Sequence, residues 1–269
     1  METELIKPIV KLGNSAGVVL PRKWLNKQVV IRLTILDIKT IIKRVIEILI
    51  EKKFLNGVLG IYLIGSYARN EQKAESDIDI LVITDKITNE LKVENYSIVL
   101  ISKENLEESL VTNPIYYYPM IKEAKIIINP ELIDNYKKYP LTRKGVLNFI
   151  KSTKRLLLMN KDMISIDKQL NNTKTGDPVA YSLILRLRSI YILESIIKNR
   201  LWNEKELLKI IDSQEVYERY KAIKESNKNL SNTILIKDAE RLIRTIELKV
   251  RGLEKWAKER VKEEKGKRD

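Results

Sequence analysis

The chain has 269 residues and contains neither cysteine nor histidine. Without thiols it forms no disulfide, thiolate zinc site or cysteine nucleophile, which suits a reducing cytoplasm. The missing imidazole excludes more: Ser-His-Asp triads, histidine metal sites and any nuclease mechanism that relies on a histidine base. Phenylalanine is reduced to two residues, so the cores fall to Ile and Leu, within an apolar content of 44% that suffices for packed domains. No apolar run approaches the ~20 residues of a membrane span, and the N-terminus lacks the basic-then-apolar pattern of a leader. The expectation is a soluble cytoplasmic protein without a membrane partner.

The remaining chemistry must run on carboxylates, metal, Lys, Arg, Tyr and hydroxyls. The formal charge of +14 is unevenly spread. Residues 37–135 carry 12 basic and 16 acidic side chains, residues 136–269 carry 32 and 18, and residues 1–36 carry 6 and 2. An acidic middle is thus flanked by basic segments. Such flanks favour an anionic partner, nucleic acid being the commonest, although lysines on solvated helix faces give the same count.

The most informative stretch is Gly65-Ser66-Tyr67-Ala68-Arg69, followed by Ser76-Asp77-Ile78-Asp79. The run before it, Val58-Leu59-Gly60-Ile61-Tyr62-Leu63-Ile64, is short, apolar and β-branched, which predicts a buried strand. Gly65 brings no Cβ between a phosphate and the backbone, and Ser66 adds a hydroxyl and an N–H to cradle phosphate oxygens. Two aspartates separated by one residue on a strand point the same way and make a pair of hard oxygen ligands for Mg²⁺.

This constellation resembles the nucleotidyltransferase superfamily that includes polymerase β, and most closely its minimal and kanamycin-type members. The match runs through Gly65, Ser66, Ala68, Arg69, Ser76, Asp77 and Asp79 into Ile80-Leu81-Val82. Asn70 stands where that family has glycine, and asparagine also tolerates a left-handed backbone. The resemblance implies an NTP substrate, ATP first, with Asp77 and Asp79 as catalytic metal ligands and Gly65, Ser66 and Arg69 at the nucleotide. It also implies a third carboxylate on the strand Tyr96-Ser97-Ile98-Val99-Leu100-Ile101, where this chain has Ser97. A serine hydroxyl is a poor Mg²⁺ ligand and a poor general base. Glu94, three residues earlier, is expected on the opposite face.

Residues 1–36 read as a separate unit. Ile9-Val10-Lys11-Leu12 predicts a strand, Gly13-Asn14-Ser15-Ala16-Gly17 a tight turn, and Val18-Val19-Leu20 a second strand. Pro21-Arg22-Lys23-Trp24-Leu25 predicts a short helix and Val29-Val30-Ile31-Arg32-Leu33 a third strand. The pattern resembles the swapped-hairpin domain of AbrB-type transcription factors and MazE-type antitoxins. That resemblance implies a homodimer of interleaved chains, since so small a unit buries no core alone. It further implies DNA contacts from Lys11, Asn14, Arg22, Lys23 and Lys27.

The apolar spacing of residues 37–54 predicts an amphipathic helix. Further strands are expected at 74–84, 96–102 and 126–128, with a helix opening at Lys103. Residues 141–269 read as helices, with Asp177-Pro178 as a start signal, Asn203-Glu204-Lys205-Glu206 resembling a capping box, and a long helix from Ile234. In that segment Arg186 and Arg188 sit on the most apolar helix, where a buried guanidinium needs an anionic partner. The expected architecture is α+β and multidomain: a β swapped-hairpin unit (1–36), an α/β nucleotidyltransferase core with a mixed sheet (37–135) and a basic all-α domain (136–269). Two function classes follow. One is a Mg²⁺-dependent nucleotidyltransferase with an unidentified acceptor. The other is a dimeric, DNA-binding, antitoxin-like regulator whose nucleotidyltransferase part senses nucleotide or modifies a partner toxin.

Overall fold

A computed structural model describes residues 5, 7, 9–31, 36–73, 76–224 and 234–265. They cluster into two compact units, Met1–Ile35 and Leu36–Asp269.

In the first unit, β1 (Ile9–Leu12) and β2 (Ser15–Val18) pair antiparallel, with Leu12 opposite Ser15. The turn is therefore Gly13 and Asn14 alone, shorter than the five residues expected, and Gly13 takes the positive φ (+58°) that a two-residue hairpin requires. Ser15, Ala16 and Gly17 belong to the strand instead. Pro21 leads into a single 3₁₀ turn, Arg22–Trp24. The third strand expected from Val29 does not form over residues 29–31, and residues 32 and 33 lie outside the described residues. A strand exists only where a neighbour completes its ladder. The hairpin gives residues 29–31 none, and Val30 is 93% exposed.

The second unit opens with α1 (Ile38–Glu51). Asp37 caps it, accepting from the N–H groups of Lys39 and Thr40, and the buried stripe is Ile41, Val45, Ile48 and Leu49. Then follow β3 (Val58–Ile64), the short helix α2 (Gly65–Arg69), β4 (Ile78–Thr84), β5 (Asn89–Val93), β6 (Tyr96–Ser102), α3 (Lys103–Thr112), α4 (Pro114–Glu123), β7 (Lys125–Ile128) and α5 (Pro130–Lys137). The five strands form one mixed sheet in the order β5-β6-β4-β3-β7, parallel only between β4 and β6.

Alternation sorts the strand side chains onto two faces. Ile61, Leu63, Ile78, Ile80, Val82, Tyr96, Ile98 and Leu100 pack with the α1 stripe. Tyr62, Ile64, Leu81, Ile83, Val99 and Ile101 pack with Leu106 and Leu110 of α3, Tyr118 and Ile121 of α4, and Ile133 and Tyr136 of α5.

A helical layer completes this unit: α6 (Arg143–Gln169), β8 (Lys174–Thr175), α7 (Asp177–Ile197), α8 (Glu204–Ile211), α9 (Gln214–Lys224), β9 (Ile234–Leu235) and α10 (Ile236–Lys265). Its core surrounds α7, whose Leu183, Ile184, Leu187, Ile190 and Tyr191 are fully buried against α6 and α10. The division expected at 135/136 falls within α5, and Leu141 packs against both the sheet-face core and the helical core. Asn203 caps α8 by accepting from the Glu206 N–H. Asp177 does not cap α7. Gly176 holds that position, and the Asp177 carboxylate accepts instead from Arg219 of α9, at 2.9 Å to Nε. Burying the Arg219 guanidinium demands such a partner. No helix among the described residues is long and apolar enough to cross a membrane.

Candidate active site

The motif residues gather where β3 ends and where β4 and β6 begin. Ile64 lies opposite Asp79, Asp79 beside Ser97 on the parallel neighbour, and Ser97 opposite Lys92. Cross-strand partners share a face, so Asp79 and Ser97 stand on the side covered by α3, α4 and α5. Asp77 sits one residue ahead of β4 and is exposed, with Oδ2 3.8 Å from Lys92 Nζ.

Gly65 makes the decisive turn at φ +70°. A Cβ at this position would lie 2.2 Å from Asp79 Oδ2 and 3.0 Å from Asp79 Cβ. The backbone of the Gly-Ser turn is thus pressed directly onto the aspartate, and only glycine leaves room. One turn later α2 ends at Asn70, in the left-handed conformation (φ 57°, ψ 35°) that the sequence reading allowed asparagine to adopt. Its N–H returns to the Ser66 carbonyl, and its Oδ1 accepts from Lys125 Nζ at 2.6 Å. A glycine could not make the second bond.

Ser66 is half-exposed at the head of α2, where the first N–H groups of a helix lack intrahelical partners and favour an anion. Arg69 is not turned toward open solvent. Its Nε donates to Glu71 at 2.8 Å and its Nη1 to Glu123 at 2.6 Å, and its guanidinium lies 4.1 Å from the Trp202 ring centre. Burial works against the charge, but the Glu123 and Glu71 carboxylates outweigh it and hold the Arg69 pKa above its ordinary value. Ser76 accepts from the Lys73 N–H and shapes the loop ahead of the aspartates.

The third carboxylate is absent from the sheet row. Glu94 occupies the turn between β5 and β6 at φ 55°, and its Oε1 accepts from Arg44 Nη2 at 2.7 Å. Arg44 belongs to α1, on the far side of the sheet, so Glu94 faces away from Asp79, as its spacing from Ser97 required. Among the described residues no three acidic side chains converge on a point that holds a metal ion.

Two contributors were not singled out from the sequence. Glu123, the last residue of α4, accepts the Gly65 N–H at 2.8 Å, and the Trp202 ring has the guanidiniums of both Arg69 and Arg188 against it, the latter at 4.9 Å. The Trp202 indole nitrogen is buried without a hydrogen-bond partner. Of the two arginines marked on α7, Arg188 thus stacks on Trp202. Arg186 donates to Ser152 Oγ at 3.2 Å and packs over Phe149.

A family model for the nucleotidyltransferase domain matches residues 42–139. A protein of Methanocaldococcus jannaschii, named for protein adenylyltransferase activity, is 32% identical over 98 residues, which cover 34% of this chain and 94% of that one. The chain belongs to the nucleotidyltransferase family. The matched span runs from α1 to the end of α5, so the nucleotidyltransferase domain comprises the mixed sheet and its flanking helices. Two solved structures are also similar. A nucleotidyltransferase-like protein from Exiguobacterium sibiricum is 15% identical with a TM-score of 0.35, covering 79% of this chain and 75% of that one. Spectinomycin adenyltransferase AAD(9) from Enterococcus faecialis, solved with ATP and spectinomycin, is 12% identical with a TM-score of 0.38, covering 80% and 99%.

Proposed function

We propose that this nucleotidyltransferase domain moves AMP from ATP to an acceptor hydroxyl or phosphate, with Mg²⁺ held by Asp77 and Asp79. The observation that carries the reading is the contact of Gly65 with Asp79: it makes the phosphate turn and the carboxylate strand a single site. The donor set fits the cation. Two carboxylates from alternate positions, Asp77 and Asp79, are hard oxygen ligands, suited to an ion that keeps waters and shares phosphate oxygens rather than sitting in an all-protein cage. When bound, the ion would neutralise triphosphate charge and stabilise the charge developing at the α-phosphorus.

The chain's own groups do the rest. Ser66, through its hydroxyl and N–H, would hold phosphate oxygens, Arg69 stiffens the far end of α2, and Asp77 and Asp79 would hold the cation. The acceptor oxygen bonds to the α-phosphorus, the bond to the bridging oxygen breaks, and pyrophosphate departs. Ser97 takes no proton, so the acceptor proton passes to solvent. Adenine as the base is favoured by the M. jannaschii relative, whose name specifies adenylyl transfer.

A second reading rests on Ser97 standing beside Asp79 in place of a carboxylate. In it the domain binds Mg·ATP without transferring it and serves as the sensor of a regulator. That regulator dimerises through the first unit and uses Lys11, Asn14, Arg22, Lys23 and Lys27 on DNA. Incubation with labelled ATP and Mg²⁺ separates the two. Label transferred to RNA, protein or a small molecule supports the enzyme, and salt-sensitive retention on DNA without transfer supports the regulator.

Both readings need Mg·ATP at the aspartates, which calorimetry checks directly. Asp77→Ala should bind Mg·ATP about 30-fold more weakly than wild type, with little change in the absence of Mg²⁺, because a ligand to the cation is lost. Equal affinity in the two proteins removes the aspartates from the site.

A further inference from the structure

The turn assigned above to the phosphates sits on a helix of five residues, too short to hold its own shape in water. Ile64 at its N-cap offers no side-chain bond. Glu123 supplies what is missing. Its Oε1 accepts from the N–H of Gly65, the first residue of α2, and its Oε2 accepts from Arg69 Nη1, at the last. One carboxylate therefore ties both ends of the helix. It is 6% exposed, so it lies beneath the turn, where a nucleotide cannot reach it.

The tie is in turn fixed from above. Arg69 is gripped by Glu71 and covered by Trp202, which enters from the segment between α7 and α8. Arg188 stacks on the same indole, and burial pushes the Glu123 pKa above its ordinary value against the opposing pull of Arg69, the Gly65 N–H and Arg188. Charge-assisted hydrogen bonds of this kind are short and directional, which suits them to setting a backbone rather than merely filling space.

We propose that Glu123 is the positioning residue of the nucleotide site: it holds the Gly65 amide so that the turn stays pressed on Asp79, with Arg69 and Trp202 holding Glu123. The inference rests on the nucleotide reading of the turn. It assigns Glu123 no contact with substrate.

The test compares wild type, Glu123→Ala, Glu123→Gln and Asp77→Ala by Mg·ATP calorimetry and by amide exchange without nucleotide. Glu123→Ala should weaken Mg·ATP binding about 10-fold and speed exchange in the 65–70 segment by a similar factor, with α7 and α10 unchanged. Glu123→Gln keeps an acceptor for the Gly65 N–H and loses only the charge on Arg69, so it should recover most of the affinity. Wild-type affinity in Glu123→Ala, beside weak binding in Asp77→Ala, overturns the positioning role alone. A rise in affinity overturns it by making Glu123 a competitor for the phosphate, and exchange speeded throughout the unit overturns it as general destabilisation. If Glu123→Ala fails to fold, Glu123→Asp decides, its carboxylate being one methylene too short to tie both ends of α2: local exchange and affinity both unchanged reject the proposal. Unweakened binding in Asp77→Ala instead rejects the nucleotide reading, and the inference falls with it.

Discussion

Gly65→Ala should weaken Mg·ATP binding by about 10²-fold while leaving the protein folded, because what the new methyl displaces is a ligand and not a core. The backbone there sits at φ +70°, and a Cβ would come within 2.2 Å of Asp79 Oδ2. The left-handed conformation costs an alanine about 1–2 kcal/mol. For a unit of this size that lowers Tm by roughly 2–8 °C. The steric conflict falls on Asp79, whose carboxylate end can rotate away while its Cβ, 3.0 Å from the new methyl, needs a shift of only about a few tenths of an ångström. Function cannot absorb the same movement: turning Asp79 aside misplaces one of the two carboxylates that hold the cation, and backing the turn away misplaces the phosphate donors. The two measurements are therefore expected to diverge, with a mild shift in the melting curve and a severe loss in the titration. Wild-type affinity in Gly65→Ala, with its melting curve lowered as calculated, would show that the turn and the aspartate do not act together.

The parts of this arrangement that were legible in the sequence are those fixed by local rules. The run from Val58 to Ile64 forms β3 as its apolar, β-branched character required. Residues 96–102 form β6, and Asn70 adopts the left-handed turn that its side chain tolerates. The α1 periodicity was equally plain, because a helix that covers a sheet writes its buried face at every third or fourth residue. What escaped is set by tertiary encounter. Glu123 lies 58 residues from Gly65, on a helix with an unremarkable acidic end, and nothing local distinguishes it from a solvated glutamate. Trp202 reads as an ordinary core aromatic until two guanidiniums are found against it. In the first unit the sequence marks apolar residues for a third strand, but pairing depends on a neighbour that the hairpin does not provide. A similar limit applied to Asp177, which carries the right residue type for a cap. The arginine it meets belongs to α9, 42 residues on.

Charge distribution gives the site its electrostatic character. The sheet-bearing segment is net acidic, yet five of its 16 acids are committed to two arginines: Glu94, Glu47 and Glu51 to Arg44 on the α1 side, and Glu71 and Glu123 to Arg69. Glu94 and Glu51 hold the Arg44 pKa above its usual value. Asp77 lies 3.8 Å from the Lys92 ammonium, a loose contact between exposed groups that a divalent cation displaces at small cost. Asp77 is thus held more loosely than the glutamates gathered around Arg44 and Arg69.

Ser97→Asp should raise the rate of Mg²⁺-dependent transfer by about 10²-fold, the lower end of what a positioned general base contributes. Position 97 is well suited to the change. It pairs with Asp79 across parallel strands, it is half-buried on the same face, and Lys92 lies opposite to it in β5 to offset the added charge. A carboxylate there would add a third hard ligand beside Asp79 and would give the acceptor proton a destination other than solvent. Two opposing terms bear on the outcome. Repulsion among three carboxylates destabilises the protein without metal, so Ser97→Asp should melt lower than wild type in chelator and recover in Mg²⁺, by binding linkage. The gain in rate should grow with pH through the titration of the new carboxyl and then level off, whereas wild type, lacking that group, should show no such rise. Nucleotide transferred faster, with a Mg²⁺-dependent melting shift, would show that Ser97 limits an otherwise intact transferase. Tighter Mg·ATP binding with transfer still absent would favour the sensor reading, because the missing carboxylate would then not be what withholds catalysis.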